Sequence, residues 1–561
     1  MKLTGAQILM KTLKEEKVDT IFGFPGGAVL DIYDELAKTD IRHILVRQEQ
    51  CAVHAADAYA RASGRVGVCL VTSGPGATNT VTGIASAYMD SIPVVILTGQ
   101  VPSHLIGNDA FQEVDIVGIT RPCTKHNYLV QRTEDLARTI KEAFYIARSG
   151  RPGPVLIDIP KDVSIESISY KAPEEVKLKS YNPTYNPNMK QLNKVIKLIK
   201  DAKKPVIFAG GGVILSKASK ELTKFAHQTQ IPVTTSLMGL GAFPGTDPLC
   251  LGMLGMHGTY RANMSTGACD LLIGAGVRFD DRVTGKIDTF ASHAKIVHID
   301  IDPTSIRKNV PVSIPVVGDC KITLDYLNKL IDKEDLGDLK KERKKWLDQI
   351  NQWKNTTPLA YNQKDIIKPQ YVIERLYEIT KGEAIITTEV GQNQMWAAQY
   401  YYFDRPGHFI TSGGLGCMGF GLPAAIGAQI ACPDKLVVDI AGDGSIQMNI
   451  QEMATAVQFG LPVKVVILNN RYLGMVRQWQ ELFYDKRYSC TSMDHAPDFV
   501  KLAEAYGAIG LRATKPDEVD SVLSEGLSIP KTAIMEFEVE QTECVYPMVP
   551  AGAPITEMIL V

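Results

Sequence analysis

The stretch Leu436–Asn470 reads LVVDIAGDGSIQMNIQEMATAVQFGLPVKVVILNN and gives the strongest indication of the fold. A first apolar run, Leu436–Ile440, ends at a Gly-Asp-Gly triplet, and a second, Val463–Leu468, ends at two asparagines. Between the runs, apolar residues recur at helical spacing from Ile450 to Val457. The stretch therefore predicts a strand, a helix and a second strand.

Two oxygen-bearing side chains follow the predicted strands. Asp443 stands in the Gly-Asp-Gly triplet, and Asn470 follows the second strand. In an open α/β sheet, ligands bind at the carboxyl ends of the strands. A carboxylate and an amide oxygen suit a Mg²⁺ ion that bridges to a phosphate. The alternative for a Gly-Asp-Gly triplet taken by itself is a tight β-turn.

The composition is that of an ordinary globular protein. Of the 561 residues, 45% are hydrophobic and 22% charged, and the net charge is −2. This balance gives no electrostatic footprint for nucleic acid or an anionic membrane. The ten cysteines form no C-x-x-C pair, and the N-terminus lacks the apolar core of a signal peptide. We expect a cytoplasmic protein with free thiols, no zinc site and no membrane span.

Strand-like apolar runs alternate with helical patterns along nearly the whole chain. The alternation predicts an α/β fold of mostly parallel sheets flanked by helices. The segment 171–188 is polar, without apolar periodicity, and predicts a linker, and the polar segment 355–368 predicts a second domain boundary. They give three predicted domains, at residues 1–170, 189–345 and 369–561. We find no internal repeat in the sequence itself.

The first predicted domain contains a glutamate that opens a helical pattern. Glu49 follows an apolar strand and precedes a segment rich in alanine. We expect its carboxylate to be partly buried among small apolar residues. Taken alone, the simpler interpretation is an acid at a helix N-terminus, where the helix dipole favours negative charge.

Glycine-rich turns follow two other predicted strands of this domain. Gly26 stands in the sequence Gly-Phe-Pro-Gly-Gly, and residues 72–79 read TSGPGATN. Glycine at such a turn allows the backbone to approach a ligand, and a following helix offers N–H groups. The alternative is a turn in which glycine and proline only shape the backbone.

Together these motifs resemble those of thiamine-diphosphate (ThDP) enzymes. Over nearly the whole chain the resemblance is to one family, the catalytic subunits of acetohydroxyacid synthase (acetolactate synthase). The segments that carry it include FGFPGGAVLDIYD, TSGPGATN, DAFQEVDIVGITRPCTKHN, RPGPVLIDIPKDV, MLGMHGTYRAN, GVRFDDRVTGK, GGLGCMGFGLPAAIGA and NNRYLGMVRQWQ. The chain departs from the family pattern at Gln48, Cys51 and Asn393, and we assign no role to Asn393.

The resemblance implies three cofactors: ThDP, Mg²⁺ and FAD. Asp443, Asn470 and the backbone carbonyl of Tyr472 would hold Mg²⁺, which would bind the diphosphate. Glu49 would hydrogen-bond the aminopyrimidine and favour its imino tautomer. The residues implied to bind ThDP are Glu49, Val390, Gly391, Gln392, Met418, Gly442, Asp443, Gly444, Ser445, Asn470 and Met475.

The resemblance also implies residues on the substrate side of the cofactor. The implied catalytic residues are Gly26, Glu49, Phe111, Gln112 and Lys161. Met475 and Trp479 would form the wall of the second-substrate pocket. Without the resemblance, Lys161 is a solvated surface lysine, Met418 fills a core and Trp479 is a half-buried anchor.

The FAD site rests on the resemblance, because the glycine triplet at 210–212 does not have the spacing of a dinucleotide fingerprint. The flavin would be mostly structural, since the implied reaction has no net redox change. The residues implied to contact FAD are Arg151, Gly210, Gly211, Gly212, Met256, His257, Gly258, Arg278, Asp280, Asp281, Arg282 and Asp300.

The implied reaction belongs to branched-chain amino-acid biosynthesis. Pyruvate would lose CO₂ on ThDP, and the hydroxyethyl unit would join a second 2-oxoacid. The product would be 2-acetolactate with pyruvate, or 2-aceto-2-hydroxybutyrate with 2-oxobutyrate. Two other kinds of ThDP enzyme are alternatives. One is a pyruvate oxidase, which passes electrons to FAD, and the other is a catabolic acetolactate synthase without FAD.

The resemblance also implies an assembly. Glu49 of one chain and Asp443 and Asn470 of another would form each active site, so we expect a homodimer or homotetramer. A small regulatory subunit is a further partner to consider. Nucleic acid and membrane are not expected partners.

Overall fold

The computed structural model of the chain describes residues 2–173 and 176–560, apart from the side chain of residue 338. Residues 1 and 561 of the outer predicted domains, and 174 and 175 of the predicted linker, lie outside the described part. The described part contains three six-stranded sheets whose strands are all parallel, with helices on their faces. This arrangement confirms the predicted α/β class.

The N-terminal region forms one of these sheets and a small antiparallel pair. Its strands are β1 (Lys2–Thr4), β2 (Thr20–Phe24), β3 (Arg42–Leu45), β4 (Gly67–Val71), β5 (Val94–Gln100), β6 (His126–Leu129), β7 (Val155–Pro160) and β8 (Ser167–Ser169). Its helices are α1 (Gly5–Glu15), α2 (Leu30–Leu36), α3 (Glu49–Ser63), α4 (Pro75–Thr78), α5 (Val81–Asp90), α6 (Ile116–Thr120), α7 (Thr133–Arg148) and α8 (Lys161–Ile165). The sheet order is β3-β2-β4-β5-β7-β6, and β1 pairs with β8.

The central sheet has a different strand order. Its strands are β9 (Pro205–Ala209), β10 (Val233–Thr235), β11 (Cys250–Met253), β12 (Leu271–Ala275), β13 (Lys295–Asp300) and β14 (Ile314–Val317). The helices are α9 (Met189–Asp201), α10 (Gly211–Leu215), α11 (Ser219–Thr229), α12 (Tyr260–Ala268), α13 (Asp281–Thr284), α14 (Cys320–Ile331) and α15 (Gly337–Thr356). The order β11-β10-β9-β12-β13-β14 is that of dinucleotide-binding sheets, with the crevice between the first and fourth strands.

The C-terminal sheet repeats the order of the N-terminal one. Its strands are β15 (Ile385–Thr388), β16 (Phe409–Ile410), β17 (Val437–Gly442), β18 (Lys464–Asn469), β19 (Ile509–Ala513) and β20 (Ala533–Glu538). Its helices are α16 (Pro369–Thr380), α17 (Gln392–Tyr400), α18 (Gly421–Ala431), α19 (Asp443–Ile446), α20 (Met453–Gln458), α21 (Gly474–Phe483), α22 (Phe499–Ala505) and α23 (Val519–Ser528). The order is β16-β15-β17-β18-β20-β19. Counted within each sheet, both read 2-1-3-4-6-5.

The N-terminal and C-terminal sheets are joined through α3 and α18, whose alanines share one hydrophobic core. Small side chains let the two helices approach closely. A Cβ atom at Gly427 would lie 2.0 Å from the carbonyl oxygen of Ala55, so only glycine fits there. Helix α3 begins where the Gln48 side chain accepts from the Cys51 N–H at 3.3 Å, and it ends at Gly64 in the left-handed conformation.

Two sequence expectations differ in detail from the structure. The helical pattern that begins at Ile450 starts as a 3₁₀ turn and continues as α20. The polar segment 355–368, the second predicted boundary, begins within a helix, because α15 continues to Thr356. Among the described residues, no helix combines the length and the apolar character that a bilayer crossing needs.

Candidate active site

Asp443 and Asn470 lie together at one edge of the C-terminal sheet. Asp443 begins α19 directly after β17, and Asn470 follows β18, the adjacent parallel strand. Asp443 is 1% exposed, and its Oδ2 atom has no hydrogen-bond partner among the described residues. Burial raises the pKa of Asp443 to about 7, and backbone N–H groups, including that of Asn470, act in the opposite direction. A divalent cation at this oxygen would offset the cost of the buried charge, so the site fits Mg²⁺.

The side chain of Asn470 is held in a fixed orientation. Its Nδ2 donates to Gln392 Oε1 at 3.0 Å, and its Oδ1 accepts from the Tyr472 N–H at 3.1 Å. An amide oxygen has two lone pairs, so Oδ1 keeps one for a cation. The structure thus brings the three predicted metal-binding residues to one sheet edge. Gly442, Gly444 and Ser445 lie there too, because they form the first turn of α19 with Asp443.

Asn393 has a structural role at this edge that the sequence did not reveal. Its Nδ2 donates to the carbonyl oxygens of Glu389 at 3.0 Å and Ile440 at 2.8 Å. These carbonyls lie at the end of β15 and within β17, so one amide ties together the two strands that lead to Val390 and Asp443. The only sequence signal was that the chain departs from the family pattern at Asn393.

Glu49 lies among the glycine turns of the N-terminal sheet. It begins α3, is half-buried, and accepts through Oε2 from Asn79 Nδ2 at 2.9 Å. A Cβ atom at Gly76 would lie 3.4 Å from Glu49 Oε1, and one at Gly26 would lie 2.5 Å from Thr72 Cβ. Glu49 and the two turns therefore form one group. Asn79 was not among the predicted site residues, although it ends the TSGPGATN stretch.

The other residues predicted on the substrate side lie around the same turns. Lys161 begins α8, and its Nζ donates to the carbonyl oxygen of Gly27 at 3.2 Å. Gln112 has a φ of +59°, a strained value for a residue with a side chain, and its Cα would lie 2.8 Å from a Cβ at Gly74. Phe111 is 88% exposed, which leaves a large apolar side chain uncovered in the single chain.

A cavity of about 870 Å³ lies between the three sheets, and we name it the central cavity. Five predicted ThDP or substrate residues line it: Val390, Gly391, Met418, Met475 and Trp479. Ten of the twelve predicted FAD residues also line it: Arg151, Gly211, Gly212, Met256, His257, Arg278, Asp280, Asp281, Arg282 and Asp300. The Glu49 group does not line it.

The two remaining predicted FAD residues serve backbone packing. A Cβ atom at Gly210 would lie 2.3 Å from the carbonyl oxygen of Gly276, and one at Gly258 would lie 2.7 Å from the backbone nitrogen of Gly255. Gly210 follows β9 and Gly276 follows β12, the two strands at the switch point of the central sheet. The crevice there is where such sheets bind dinucleotides, and its glycines and arginines fit a flavin dinucleotide.

Three basic residues of the central cavity lining have defined surroundings. The guanidinium of Arg282 lies over the ring of Trp479, 5.9 Å from its centre. On the other side of the cavity, Arg151 is fixed by Ser91 Oγ at 2.8 Å and Asp302 Oδ2 at 3.3 Å. Burial lowers the pKa of His257 to about 4, so this lining residue is neutral at pH 7.

Glu452 connects the two sheets, and it too was missed. It follows the Gly-Asp-Gly segment and is fully buried, and its Oε1 accepts from the backbone N–H groups of Arg47 at 2.9 Å and Gln48 at 3.1 Å. These groups immediately precede Glu49. A carboxylate of the C-terminal sheet therefore fixes the backbone that presents Glu49. A single glutamate in a helical pattern gives no sequence signal for such a long-range contact.

The described residues contain no group of three His, Cys, Asp or Glu side chains placed to hold a metal ion. Mg²⁺ at Asp443 would depend on one carboxylate with neutral oxygens and phosphate, as expected for this ion. All ten cysteines are free, as the sequence predicts, and Cys490 is exposed.

Three family models match the chain. They are the N-terminal thiamine pyrophosphate (TPP) binding domain of thiamine pyrophosphate enzymes at residues 3–119, their central domain at 192–327, and their C-terminal TPP binding domain at 389–537. Each match covers strands of one of the three sheets.

Curated proteins match over the full length. The acetolactate synthase large subunit of Haemophilus influenzae is 52% identical, over 100% of this chain and 98% of that protein. The acetolactate synthase isozyme 3 large subunit of Escherichia coli is 51% identical over 99% and 98%. A probable acetolactate synthase large subunit of Methanococcus aeolicus is 48% identical over 99% and 95%. The chain therefore belongs to the acetolactate synthase large-subunit family of thiamine pyrophosphate enzymes.

Proposed function

We propose that the chain is the catalytic subunit of an acetolactate synthase. It would decarboxylate pyruvate and join the two-carbon unit to pyruvate or 2-oxobutyrate, as the biosynthesis of branched-chain amino acids requires. The observation that carries the proposal is Asp443, a buried carboxylate with an unpartnered oxygen beside Asn470, in a chain about half identical to such subunits over its full length. FAD would be a mostly structural cofactor, and the crevice glycines of the central sheet support it.

The residues of the chain would divide the work between binding and activation. Asp443, Asn470 and Tyr472 would hold Mg²⁺ and through it the diphosphate, and Glu49 would hydrogen-bond the aminopyrimidine. When bound, thiamine diphosphate would supply the electron sink for loss of CO₂ from a 2-oxoacid.

The central cavity would shape the second half of the reaction. Met418 would pack against the cofactor, and Met475 and Trp479 would enclose the second 2-oxoacid. An apolar wall excludes water, which favours transfer of the two-carbon unit to an acceptor over protonation. Lys161 would attract the carboxylate of the substrates from its position at the glycine turn.

We also propose that each active site forms between two chains. In a single chain the Glu49 group does not line the central cavity, and Phe111 is 88% exposed. A second chain would cover Phe111 and bring its own Glu49 to the cavity. The assembly would be a homodimer or homotetramer with a small regulatory subunit, which the term large subunit in the relatives' names supports. Ten free cysteines support a reducing, cytoplasmic location.

A product assay tests the reaction. Purified protein with pyruvate should form acetolactate only when ThDP and Mg²⁺ are both present. Oxygen uptake or quinone reduction without acetolactate would instead identify a pyruvate oxidase. A purified protein without flavin absorption would contradict the FAD assignment and identify an FAD-free acetolactate synthase.

Complementation tests the shared site. Glu49→Gln and Asp443→Ala chains should each be inactive alone, but co-expression should restore about a quarter of wild-type activity. Half of the randomly formed dimers are mixed, and each mixed dimer has one intact site of its two. If both residues act within one chain, the mixture will stay inactive.

A further inference from the structure

A second cavity, of about 430 Å³, lies between the central sheet and the C-terminal sheet, and we name it the distal cavity. It is bounded by the ends of β10 and β11, the end of α15 and the end of α17. Its volume is in the range of small-molecule sites. None of the predicted ThDP, FAD or substrate residues lines it.

The charged side chains that line the distal cavity are all basic. Its lining includes Arg261 and Lys354 but no Asp or Glu. Arg261 Nε donates to the carbonyl oxygen of Leu251 at 3.1 Å, and among the described residues no carboxylate pairs with its guanidinium. Burial lowers the pKa of Arg261. A half-buried arginine without a counterion is costly, and an anion in the cavity would offset that cost.

Two buried oxygens of the lining have no hydrogen-bond partner among the described residues. They are Thr235 Oγ1 and Gln399 Oε1, on side chains that are 2% and 7% exposed. The amide of Gln399 is not free to flip, because its Nε2 donates to the carbonyl oxygens of His257 at 2.9 Å and Tyr546 at 3.2 Å. Its oxygen can therefore only accept, so the cavity offers a place for a hydrogen-bond donor.

The lining also includes five aromatic residues. Phe243, Tyr401 and Phe403 are buried, while Tyr260 is half-buried and Tyr402 is 48% exposed. Aromatic walls bury an apolar body and favour edge or stacked contacts with a ring. The cavity thus combines a cation, an acceptor pair and an apolar surface.

We propose that the distal cavity is a second small-molecule site, which binds an apolar carboxylate that carries a hydrogen-bond donor. The carboxylate faces Arg261, the donor faces Gln399 and Thr235, and the apolar body lies between the aromatic side chains. The site is coupled to the central cavity, because the amide that accepts the ligand's donor also holds the carbonyl of His257, which lines that cavity.

Calorimetric titration of the purified full-length protein tests this proposal with three probes. L-3-phenyllactate carries all three features, 3-phenylpropionate lacks the donor, and 3-phenyllactamide lacks the charge. We expect phenyllactate to bind at least tenfold more tightly than the amide and severalfold more tightly than phenylpropionate. No binding of phenyllactate at millimolar concentration, or equal affinity for the amide, would overturn the proposal.

Variants locate the binding. Arg261→Gln should weaken phenyllactate binding about tenfold or more and remove its advantage over the amide. Arg138→Gln is the matched control, because Arg138 is an exposed arginine of the N-terminal region that pairs with Asp135 at 3.1 Å. Should Arg261→Gln fail to fold, Thr235→Val removes one unpartnered hydroxyl and should weaken binding severalfold. Unchanged affinity in the folded variants would contradict the assignment.

Competition separates the distal cavity from the catalytic one. Phenyllactate should still bind when ThDP, Mg²⁺, FAD and pyruvate are present at saturation, although coupling through Gln399 should change its affinity. Complete displacement by those ligands would place the probe in the central cavity and refute the proposal. The binding measurement does not depend on turnover, so it stands or fails separately from the proposed synthase activity.

Discussion

The N-terminal and C-terminal sheets have the same strand order, 2-1-3-4-6-5, yet they carry different chemistry. In the N-terminal sheet, the second strand leads to Glu49. In the C-terminal sheet, the third and fourth strands lead to Asp443 and Asn470. The shared topology determines which strand ends meet, and the loop sequences determine what those ends can bind.

The equivalence extends to a buried carboxylate on the sixth strand of each sheet. Asp158 lies on β7 and accepts from Gln100, the last residue of β5, at 2.9 Å. Glu536 lies on β20 and accepts from Asn469, the last residue of β18, at 2.7 Å. The difference is a counterion, because Arg512 Nε donates to Glu536 at 2.8 Å. Burial raises the pKa of Asp158 to about 7, and among the described residues only hydrogen bonds, from Thr98 and Gln100, act in the opposite direction.

The largest expected effect is on the N-terminal side of this comparison. Glu49→Gln should lower turnover roughly 10²–10⁴-fold, because the pyrimidine would lose the carboxylate that we propose sets its protonation. The affinity for ThDP and Mg²⁺ should change little. Steady-state acetolactate assays and calorimetric cofactor titration measure both, with the exposed Glu525→Gln as control. A comparable loss of cofactor affinity would mean that Glu49 serves in cofactor binding as well as in activation.

On the C-terminal side, Asp443→Asn should act on binding. ThDP affinity in the presence of Mg²⁺ should fall about a hundredfold, since the carboxylate proposed to hold Mg²⁺ would be lost. The cofactor-free protein should become about 1–2 kcal/mol more stable at pH 8, because a buried charge without a counterion is removed. Calorimetry and urea unfolding give the two values, with the exposed Asp434→Asn as control. A destabilised cofactor-free protein would contradict this account.

The connection between the sheets gives the third prediction. Glu452→Ala leaves the N–H groups of Arg47 and Gln48 without their buried acceptor and should cost about 2–3 kcal/mol of unfolding free energy. Urea denaturation measures this free energy, and Glu504→Ala, at an exposed position of α22, is the matched control. A cost no larger than that of the control would show that the two sheets do not depend on this carboxylate.

The smallest effect concerns Asp158. Its pKa is about 7 in the folded protein against an ordinary value of 3.8, so the folded state retains a proton that the unfolded chain releases. This contribution is complete below about pH 4 and is lost as the pH rises through 7, by about 1–2 kcal/mol between pH 6 and pH 8. Asp158→Asn should flatten that part of the stability profile. An unchanged slope would mean that Asp158 does not titrate in this range.

The strands near residue 443 could be predicted because apolar runs and turn residues are local signals. The predicted runs Leu436–Ile440 and Val463–Leu468 correspond closely to β17 and β18. The repeated strand order could not be predicted, since two sheets can share a topology without sharing a sequence. Glu452 and Asn393 were missed for a related reason: each bonds to at least one backbone group far away in the chain, which composition and spacing do not reveal.

Gly427 affects the geometry of two active sites at once. If two chains share each centre, one protomer places its glutamate in one centre and its metal ligands in the other. The contact between α3 and α18 fixes the separation of those two contributions, because no side chain fits between Gly427 and Ala55. Even an added methyl group there would shift both the glutamate and the metal ligands. A substitution in one protomer would then alter both active sites of the dimer.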